Sequence, residues 1–326
     1  MFRWDEVAKN FRLPHAIWNK SKQDENPAFA CNRIFDGETK ITVRPKFTVP
    51  SDTSFFTIGS CFARNIEMAL IDRGLQVNNA LYNSRDFAQR ENKYGDAALL
   101  HRFNVPSMKL EIDNYSGGDE RLGEHLIYPL PEEGMFWDSN YANNQMPRPF
   151  EKIVEDRAHL RHLMRESLSQ AGCMIITLGL SEALFDNETS LPLNSAPPAR
   201  YARKSNRFSG VWVSMEEALE GLEAIRTKAK ATAGDQLKII VTVSPVGLQR
   251  SFTGQDVVVA NTLSKAQLRV AASKFSDAHD DVDYFPSYEF VTLSHPKTAW
   301  QNDRRHVKLA LVEKITSLFC ETYIDK

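Results

Sequence analysis

Three mostly apolar runs stand out along the chain, and a stretch with helical spacing follows each one. The runs lie at residues 54–59 (SFFTIG), 173–179 (CMIITLG) and 237–243 (LKIIVTV). Nearly continuous hydrophobic runs of this length are typical of strands that are buried on both faces of a parallel sheet. They predict three central strands, and residues 283–285 (DYF) predict a shorter fourth strand.

In the stretches between these runs, the apolar residues have the spacing of a helix. Apolar residues at positions i, i+4, i+7 and i+8 predict a helix over about 62–72, and Gly74 is placed to end it. Residues 75–77 predict a further short strand. The spacing of Ser214 and Glu217 is that of a capping box, which marks the start of a helix. Longer helices are predicted over about 150–172, 214–232, 256–279 and 306–323.

Strands that alternate with helices of this length predict parallel pairing with right-handed crossovers. The expected fold class is α/β: a doubly wound parallel sheet in a three-layer α/β/α sandwich with inserted loops. Residues 1–50 are expected to be an N-terminal extension packed on this domain, which covers 51–326. A loop-rich insertion at about 80–150 has the composition of a lid or of a substrate-binding element, and a merely decorative insertion fits equally well. Residues 186–213 predict a second loop excursion.

Composition and charge exclude several classes of protein. The chain has 326 residues, of which 42% are hydrophobic and 25% charged, as in ordinary globular proteins. A net charge of -2 gives no electrostatic reason to expect binding to nucleic acid or to an anionic membrane surface. No apolar run approaches the roughly 18–20 residues that span a bilayer, and the first residues do not form a signal peptide. We therefore expect a cytoplasmic protein.

The four cysteines are widely spaced. They lie at Cys31, Cys61, Cys173 and Cys320, and none has the C-x-x-C spacing of a zinc site or of a redox motif. In a cytoplasmic chain this scatter predicts free thiols and no metal.

The stretch TIGSCFA at 57–63 places two potential nucleophiles after a glycine, at a predicted strand-to-helix turn. N–H groups of the first helical turn can form part of an oxyanion hole, and the helix dipole favours an ionised thiol. Gly59 would let a substrate approach the backbone closely. Ser60 and Cys61 are both candidate nucleophiles. The alternative is a capping Ser60 beside a Cys61 that belongs to the core.

The stretch NDRRHV contains an aspartate three residues before a histidine. At this spacing Asp303 can orient and polarise the His306 ring, which can then act as a general base. The prediction places this pair at the start of the final helix. The alternative is an Asp that caps the helix beside a surface His.

A third group of candidate residues follows the second long strand. Gly179 offers a backbone N–H group, Ser181 offers a hydroxyl donor to an oxyanion, and Glu182 places a carboxylate near the same edge. The alternative is a strand end that is followed by a solvated helix start. Tyr82 and Asn83 follow the first strand–helix–strand unit and are candidates to line the cleft, or else form a turn with a packed Tyr.

Several stretches together resemble one family. The run FFTIGSCFARNIEMALIDRGLQV resembles the signature of the GSCFA family, and so do IITLGLSEALFD, VTVSPVGLQRSF with VVANTLSKAQLRVAA, and YFPSYEFV with NDRRHV. The resemblance covers residues from about 55 to 323. The GSCFA family is distantly similar to the SGNH, or GDSL-type, hydrolases, which include esterases, lipases and carbohydrate O-acyl esterases. These enzymes share an α/β/α sandwich and a Ser–His–Asp mechanism.

The resemblance implies roles for particular residues. When the first motif is aligned on Gly59, Cys61 takes the position of the nucleophile and Ser60 takes that of the preceding acidic residue. The final D-x-x-H block is matched by Asp303 and His306. Ser181 takes the place of the Asn that donates to the oxyanion. If the turn keeps the SGNH geometry, Cys61 faces the cleft and Ser60 lies at or behind the turn, so we favour Cys61 as the nucleophile. A Cys–His pair is chemically sound because a thiolate is a better nucleophile than an alcohol.

The implied activity is that of an acyl-ester hydrolase or O-acyltransferase. The expected substrate is a small-molecule or carbohydrate acyl ester, with a carbohydrate O-acyl group as the favoured class. The mechanism needs no metal or bound cofactor, and acyl-CoA is a candidate co-substrate if the reaction is transfer. Two competing hypotheses are a non-catalytic ligand-binding protein that keeps the cleft and a structural partner in a glycan-synthesis complex.

Overall fold

The computed structural model describes residues 3–21, 25–80, 100–116, 122–141, 147–198 and 206–325. The strands are β1 (Phe55–Gly59), β2 (Ile127–Pro129), β3 (Phe136–Asp138), β4 (Cys173–Leu178), β5 (Glu182–Asp186), β6 (Leu191–Leu193), β7 (Phe208–Trp212), β8 (Lys238–Val243) and β9 (Val282–Tyr284). The helices are α1 (Trp4–Asn10), α2 (Cys61–Ile71), α3 (Val105–Tyr115), α4 (Phe150–Ser169), α5 (Met215–Ala233), α6 (Val257–Ala278), α7 (Ser287–Thr292), α8 (Pro296–Ala299) and α9 (Leu309–Tyr323).

The centre of the fold is a parallel sheet of four strands in the order β1-β4-β8-β9. Alternate side chains of these strands enter two separate hydrophobic clusters, one on each face of the sheet. One cluster includes residues of α3, α4, α5 and α6, and the other includes residues of α2, α7, α8 and α9. The predicted α/β class, with a parallel sheet flanked by helices, is confirmed.

The predicted short strand at 75–77 is reduced to a single bridge at the edge of the sheet. Phe55 pairs with Val77, its N–H donates to the carbonyl of Gln76 at 2.8 Å, and its carbonyl accepts from the N–H of Asn78 at 2.8 Å. If this bridge is counted as a second strand, the order along the sheet becomes 2-1-3-4-5, which is the flavodoxin-like order. In such sheets, ligands bind beyond the carboxyl ends of the strands.

Two stretches that the sequence predicts as irregular contain regular structure. Residues 186–213 were expected to be a loop, but they contain β6 and β7, which pair with β5 just before them in an antiparallel sheet. Within 80–150, the described residues include the helix α3 and the hairpin β2–β3. The buried face of α3 carries Glu111 and Asp113, and charged residues of this kind are usually interpreted as solvent-facing.

Helix boundaries are close to the prediction, with one consequential difference. The capping box of α5 is present: the Ser214 hydroxyl accepts from the N–H of Glu217 at 3.1 Å, and the Glu217 carboxylate accepts from the N–H of Ser214 at 2.8 Å. The final helix, α9, begins after Lys308 as its N-cap. The prediction placed His306 at the start of this helix. In the structure His306 lies in the turn that precedes the helix.

The N-terminal segment is bonded to the α/β unit at several points. Phe35 donates its N–H to the carbonyl of Leu293 at 2.8 Å, and Thr39 donates its N–H to the hydroxyl of Ser294 at 2.9 Å. Among the residues described, no helix combines the length and the apolar character needed to cross a membrane.

Candidate functional site

The turn from β1 to α2 depends on a glycine. Gly59 ends β1 with a φ of 153°. A Cβ atom at this position would lie 2.7 Å from both the Cβ atom and the carbonyl oxygen of Thr177 in β4. Only glycine therefore lets the start of α2 approach the end of β4 this closely. The two residues that follow are held at the carboxyl edge of the sheet.

Ser60 and Cys61 differ in how much of each side chain is exposed to solvent. Ser60 is the N-cap of α2 and is only 4% exposed, and its hydroxyl oxygen is buried with no hydrogen-bond partner among the described residues. Cys61 is the first residue of the helix, and its thiol is free and partly exposed. Of the two candidate nucleophiles, Cys61 is the one that faces accessible space.

The Asp303–His306 pair is formed inside a tight turn. One carboxylate oxygen of Asp303 accepts from the backbone N–H groups of Arg305 and His306, each at 3.0 Å, and the other lies 2.5 Å from Nδ1 of His306. These hydrogen bonds hold the pKa of Asp303 well below its usual range. Arg304 within the turn has a φ of 57°, a left-handed conformation that a non-glycine residue adopts at a cost.

His306 connects this carboxylate to Cys61. A hydrogen bond to the Cys61 side chain is the largest cause that raises the pKa of His306; partial burial opposes this rise, and the hydrogen bond to Asp303 adds to it. The imidazole remains 40% exposed. The structure thus brings together a thiol, an imidazole and an orienting carboxylate in the order of a catalytic triad.

Arg305 lies on the other side of the imidazole. Its Nη1 atom is 3.3 Å from Nε2 of His306, and its Nε atom donates to the carbonyl oxygen of Gly247 at 2.9 Å. The second bond ties the turn that carries His306 to the loop after β8. The position of the imidazole is therefore set by contacts from two elements.

The residues after β4 have partners that their sequence did not predict. The N–H of Ser181 donates to the hydroxyl of Ser264 at 2.9 Å, and the hydroxyl of Ser181 donates to the carbonyl oxygen of Ser264 at 3.3 Å. Both donors of Ser181 are engaged by α6, so an oxyanion role for this residue would require those bonds to break. Gly179 accepts from Nζ of Lys265 at 2.6 Å through its carbonyl oxygen.

Glu182 begins β5 and holds a neighbouring loop. Its carboxylate accepts from the hydroxyl of Ser251 at 2.5 Å and from the N–H of Phe252 at 3.1 Å. The carboxylate thus fixes the loop that leads into α6. Tyr82 and Asn83, the two other predicted cleft residues, lie outside the described residues.

Sequence reasoning missed a short segment, residues 101–104, that joins the ends of β1 and β4. The N–H of Arg102 donates to the carbonyl of Gly59 at 2.8 Å, and the N–H of Leu180 donates to the carbonyl of Phe103 at 2.7 Å. Burial, together with the charges of Arg64 and Arg102, lowers the pKa of His101 to about 3. His101 is therefore neutral at physiological pH, and the segment is paired with the ends of both strands.

Lys265 of α6 was also missed as a member of the site. Its side chain is fully buried, and its Nζ atom donates to the carbonyl of Gly179 at the end of β4. The available signal was its spacing from Asn261 and Ser264 on one helix face, which places three polar residues together on a side of α6 that also carries Leu268.

Fold and site together define an α/β protein with a Cys–His–Asp arrangement at the carboxyl edge of a parallel sheet. Among the described residues, no cluster of three or more His, Cys, Asp or Glu side chains could hold a metal ion. The model of the GSCFA family matches residues 54–319, and the chain belongs to that family. No curated protein and no solved structure matches the chain.

Proposed function

We propose that the protein is an SGNH-like acyl-ester hydrolase or O-acyltransferase in which Cys61 is the nucleophile. In this proposal the parallel sheet and its flanking helices are the three-layer α/β/α sandwich of the SGNH enzymes. The observation that carries the proposal is a chain of contacts that runs from Cys61 through His306 to Asp303. Cys61 is the first residue of α2. A nucleophile, a base and a group that orients the base are the parts that covalent acyl transfer requires.

The first half-reaction transfers the acyl group to sulfur. His306 takes the proton of the Cys61 thiol, and the thiolate attacks the carbonyl carbon of the ester, forming a C–S bond. The C–O bond to the leaving alcohol then breaks, and His306 returns the proton to the departing oxygen. Asp303 is bonded to Nδ1, which leaves Nε2 as the nitrogen that takes the thiol proton. Nη1 of Arg305, 3.3 Å from Nε2, has to give up this contact before Nε2 accepts that proton.

The developing oxyanion needs hydrogen-bond donors near Cys61. The first N–H groups of a helix have no intrahelical partner, and α2 begins at the nucleophile itself. The N–H groups of Cys61 and Phe62 are therefore the donors we assign to this role. They replace the side-chain donor that Ser181 was expected to supply, because both donors of Ser181 are bonded to Ser264.

The second half-reaction decides between hydrolysis and transfer. If water attacks the thioester, the products are a carboxylic acid and the free thiol. If a sugar hydroxyl attacks, the product is an O-acyl carbohydrate, and acyl-CoA is then a suitable donor for the first step. A carbohydrate O-acyl group is the substrate class we assign, by similarity to the carbohydrate esterases among the SGNH enzymes.

A second candidate function is a ligand-binding protein that keeps the cleft without catalysis. It is favoured by the engagement of Ser181 with Ser264 and of Glu182 with the loop at Ser251. Two polar residues at the sheet edge thus serve packing instead of facing a substrate. This candidate predicts ligand binding without an acyl-enzyme.

The deciding experiment measures turnover of p-nitrophenyl acetate and the intact mass of the protein after mixing. We expect Cys61→Ala to lose both turnover and the acyl adduct, with turnover falling by about 10³-fold or more. His306→Ala should lose most of the turnover, because the proton acceptor is removed. Ser60→Ala should keep both signals. Cys320→Ala is the matched control, because it removes another partly exposed free thiol.

Two results would contradict the thiol mechanism. Loss of the adduct in Ser60→Ala, with Cys61→Ala unaffected, would assign the nucleophile to the serine. Equal inertness of every variant and of the wild type towards aryl, acetyl-sugar and acyl-CoA donors, without an adduct, would favour the ligand-binding protein.

A further inference from the structure

The guanidinium of Arg305 lies beside the imidazole that would act as the base. Nη1 is 3.3 Å from Nε2 of His306, and Nε donates to the carbonyl oxygen of Gly247 at 2.9 Å. Because Nδ1 of the ring is bonded to Asp303, Nε2 is the nitrogen that remains for a proton from the thiol. A guanidinium has donors only, so the contact from Nη1 uses the lone pair of Nε2 that this proton needs.

In the part of the chain that the structure describes, no carboxylate pairs with this guanidinium, although the side chain of Arg305 is partly buried. The nearby carboxylate of Asp303 accepts from the backbone N–H of Arg305 and from Nδ1 of His306. Nη2 of Arg305 bonds to no described residue and is not one of the enclosed polar atoms, so it faces open space. The site therefore presents a positive charge whose partner has to come from outside the described chain.

The contact with Gly247 leaves the outer edge of the guanidinium available. Nε is used by the carbonyl oxygen, while Nη1 and Nη2 are two parallel donors that match the two oxygens of a carboxylate or of a phosphate. An anion that accepts from both donors draws Nη1 away from Nε2 of His306. The lone pair of Nε2 then becomes available to the thiol proton, so binding of the anion and activation of the base are coupled.

We propose that Arg305 binds an anionic group of the substrate, a carboxylate or a phosphate close to the reacting ester, and that this binding releases His306 to act as the base. The inference rests on the proposed acyl-transfer function and names its substrate class as anionic acyl esters. No covalent bond to Arg305 is made or broken: one hydrogen bond to Nε2 is exchanged for two hydrogen bonds to the anion. A neutral ester lacks the group that favours this exchange and is turned over less efficiently.

The test uses matched esters that differ only in charge. Release of acetate is measured for 4-acetoxyphenylacetate and its methyl ester, and release of p-nitrophenolate for mono-p-nitrophenyl succinate and its methyl ester. The first pair varies the charge on the alcohol side and the second varies it on the acyl side. In at least one pair we expect kcat/KM of the wild type to be about tenfold to a hundredfold higher for the anion, as for a charge-assisted hydrogen bond. Arg305→Met should bring this ratio close to one, and Arg305→Lys should keep part of it, because lysine keeps the charge without the paired donors.

Arg304→Met is the matched control, because Arg304 is an exposed arginine in the same turn and its loss changes the net charge equally. This variant should keep the ratio of the wild type. Binding is measured separately by calorimetry with the two anionic esters in Cys61→Ala, which lacks the proposed nucleophile. Addition of Arg305→Met to Cys61→Ala should raise the Kd of the preferred anion about tenfold or more, whereas addition of Arg304→Met should not.

The inference would be overturned if an active enzyme showed equal kcat/KM within both pairs, or if Arg305→Met and Arg304→Met lowered the preference for the anion equally. Binding to Cys61→Ala that does not depend on Arg305 would also overturn it. If Arg305→Met does not fold, Arg305→Lys and Arg305→Gln still decide, since only the first keeps the charge. A wild type that is inert to every ester, beside a Cys61→Ala variant that binds the anion through Arg305, would refute the esterase and keep the anion site. Turnover without any preference for charge would do the reverse.

Discussion

Replacement of Gly59 by alanine tests the close approach on which the site is built. The added Cβ atom would stand 2.7 Å from the Cβ atom and the carbonyl oxygen of Thr177 and 3.0 Å from the Cβ atom of Ala63. Separations below about 3.0 Å force one of the atoms to move. Thr177 cannot retreat easily, because β4 is paired with β1 on one side and β8 on the other.

The size of the effect follows from two separate costs. Overpacking of a well-packed site costs about 1–3 kcal/mol. A non-glycine residue at a φ of 153° adds backbone strain of about 1–3 kcal/mol. Gly59→Ala should therefore lower the free energy of unfolding by roughly 2–6 kcal/mol, a large part of the 5–15 kcal/mol typical of a domain.

Urea unfolding followed by circular dichroism measures this loss, and Gly134→Ala is its control. Gly134 also has a positive φ, 72°, but nothing lies within 4 Å of where its Cβ atom would be. The control should lose only the backbone term, about 1–2 kcal/mol. If Gly59→Ala proved no more destabilising than Gly134→Ala, the packing of β1 against β4 would not be what requires a glycine.

Two further predictions concern titration and buried charge. The raised pKa of His306 stabilises the fold fully below its usual value of 6.5, and this contribution is lost as the pH rises through the folded-state pKa. NMR titration should show the His306 pKa falling in Cys61→Ala and in Asp303→Asn; an unchanged value in both would refute the contacts. The fully buried Arg102 pairs with Glu111 at 2.8 Å, so Arg102→Met should cost about 3–5 kcal/mol in urea unfolding. Arg102→Met combined with Glu111→Leu should cost less, and an equal or larger loss would contradict the argument.

The parts of the fold that sequence predicts well are those in which local pattern and burial agree. β1, β4 and β8 are buried on both faces, so their runs are apolar without alternation. The contact between Asp303 and His306 was predictable because it is made within one turn. In both cases the signal that allows the prediction lies within a few residues of sequence.

Other features depend on distant partners, which a single sequence does not display. Lys265 is an ordinary helix residue by its pattern, and its contact with the end of β4 is made only in the folded chain. Likewise, a glutamate such as Glu111 in α3 would be expected at the surface from its sequence. In the structure its carboxylate is buried and accepts hydrogen bonds from Arg102 and Tyr141. The bonds of Ser181 could not be predicted for the same reason, since its partner Ser264 lies far along the chain.

The attachment of residues 101–104 to the sheet has a consequence for how this fold can diversify. On the near side, Asn79 is clamped to the main chain of Thr57 by two hydrogen bonds of 3.0 Å and 2.7 Å. On the far side, the N–H of Arg102 donates to the carbonyl of Gly59, and the carbonyl of Phe103 accepts from the N–H of Leu180. Only backbone groups take part, and every residue type except proline can supply both kinds. Residue types in 101–104 can therefore change without loss of the backbone hydrogen bonds that attach this segment to the ends of β1 and β4.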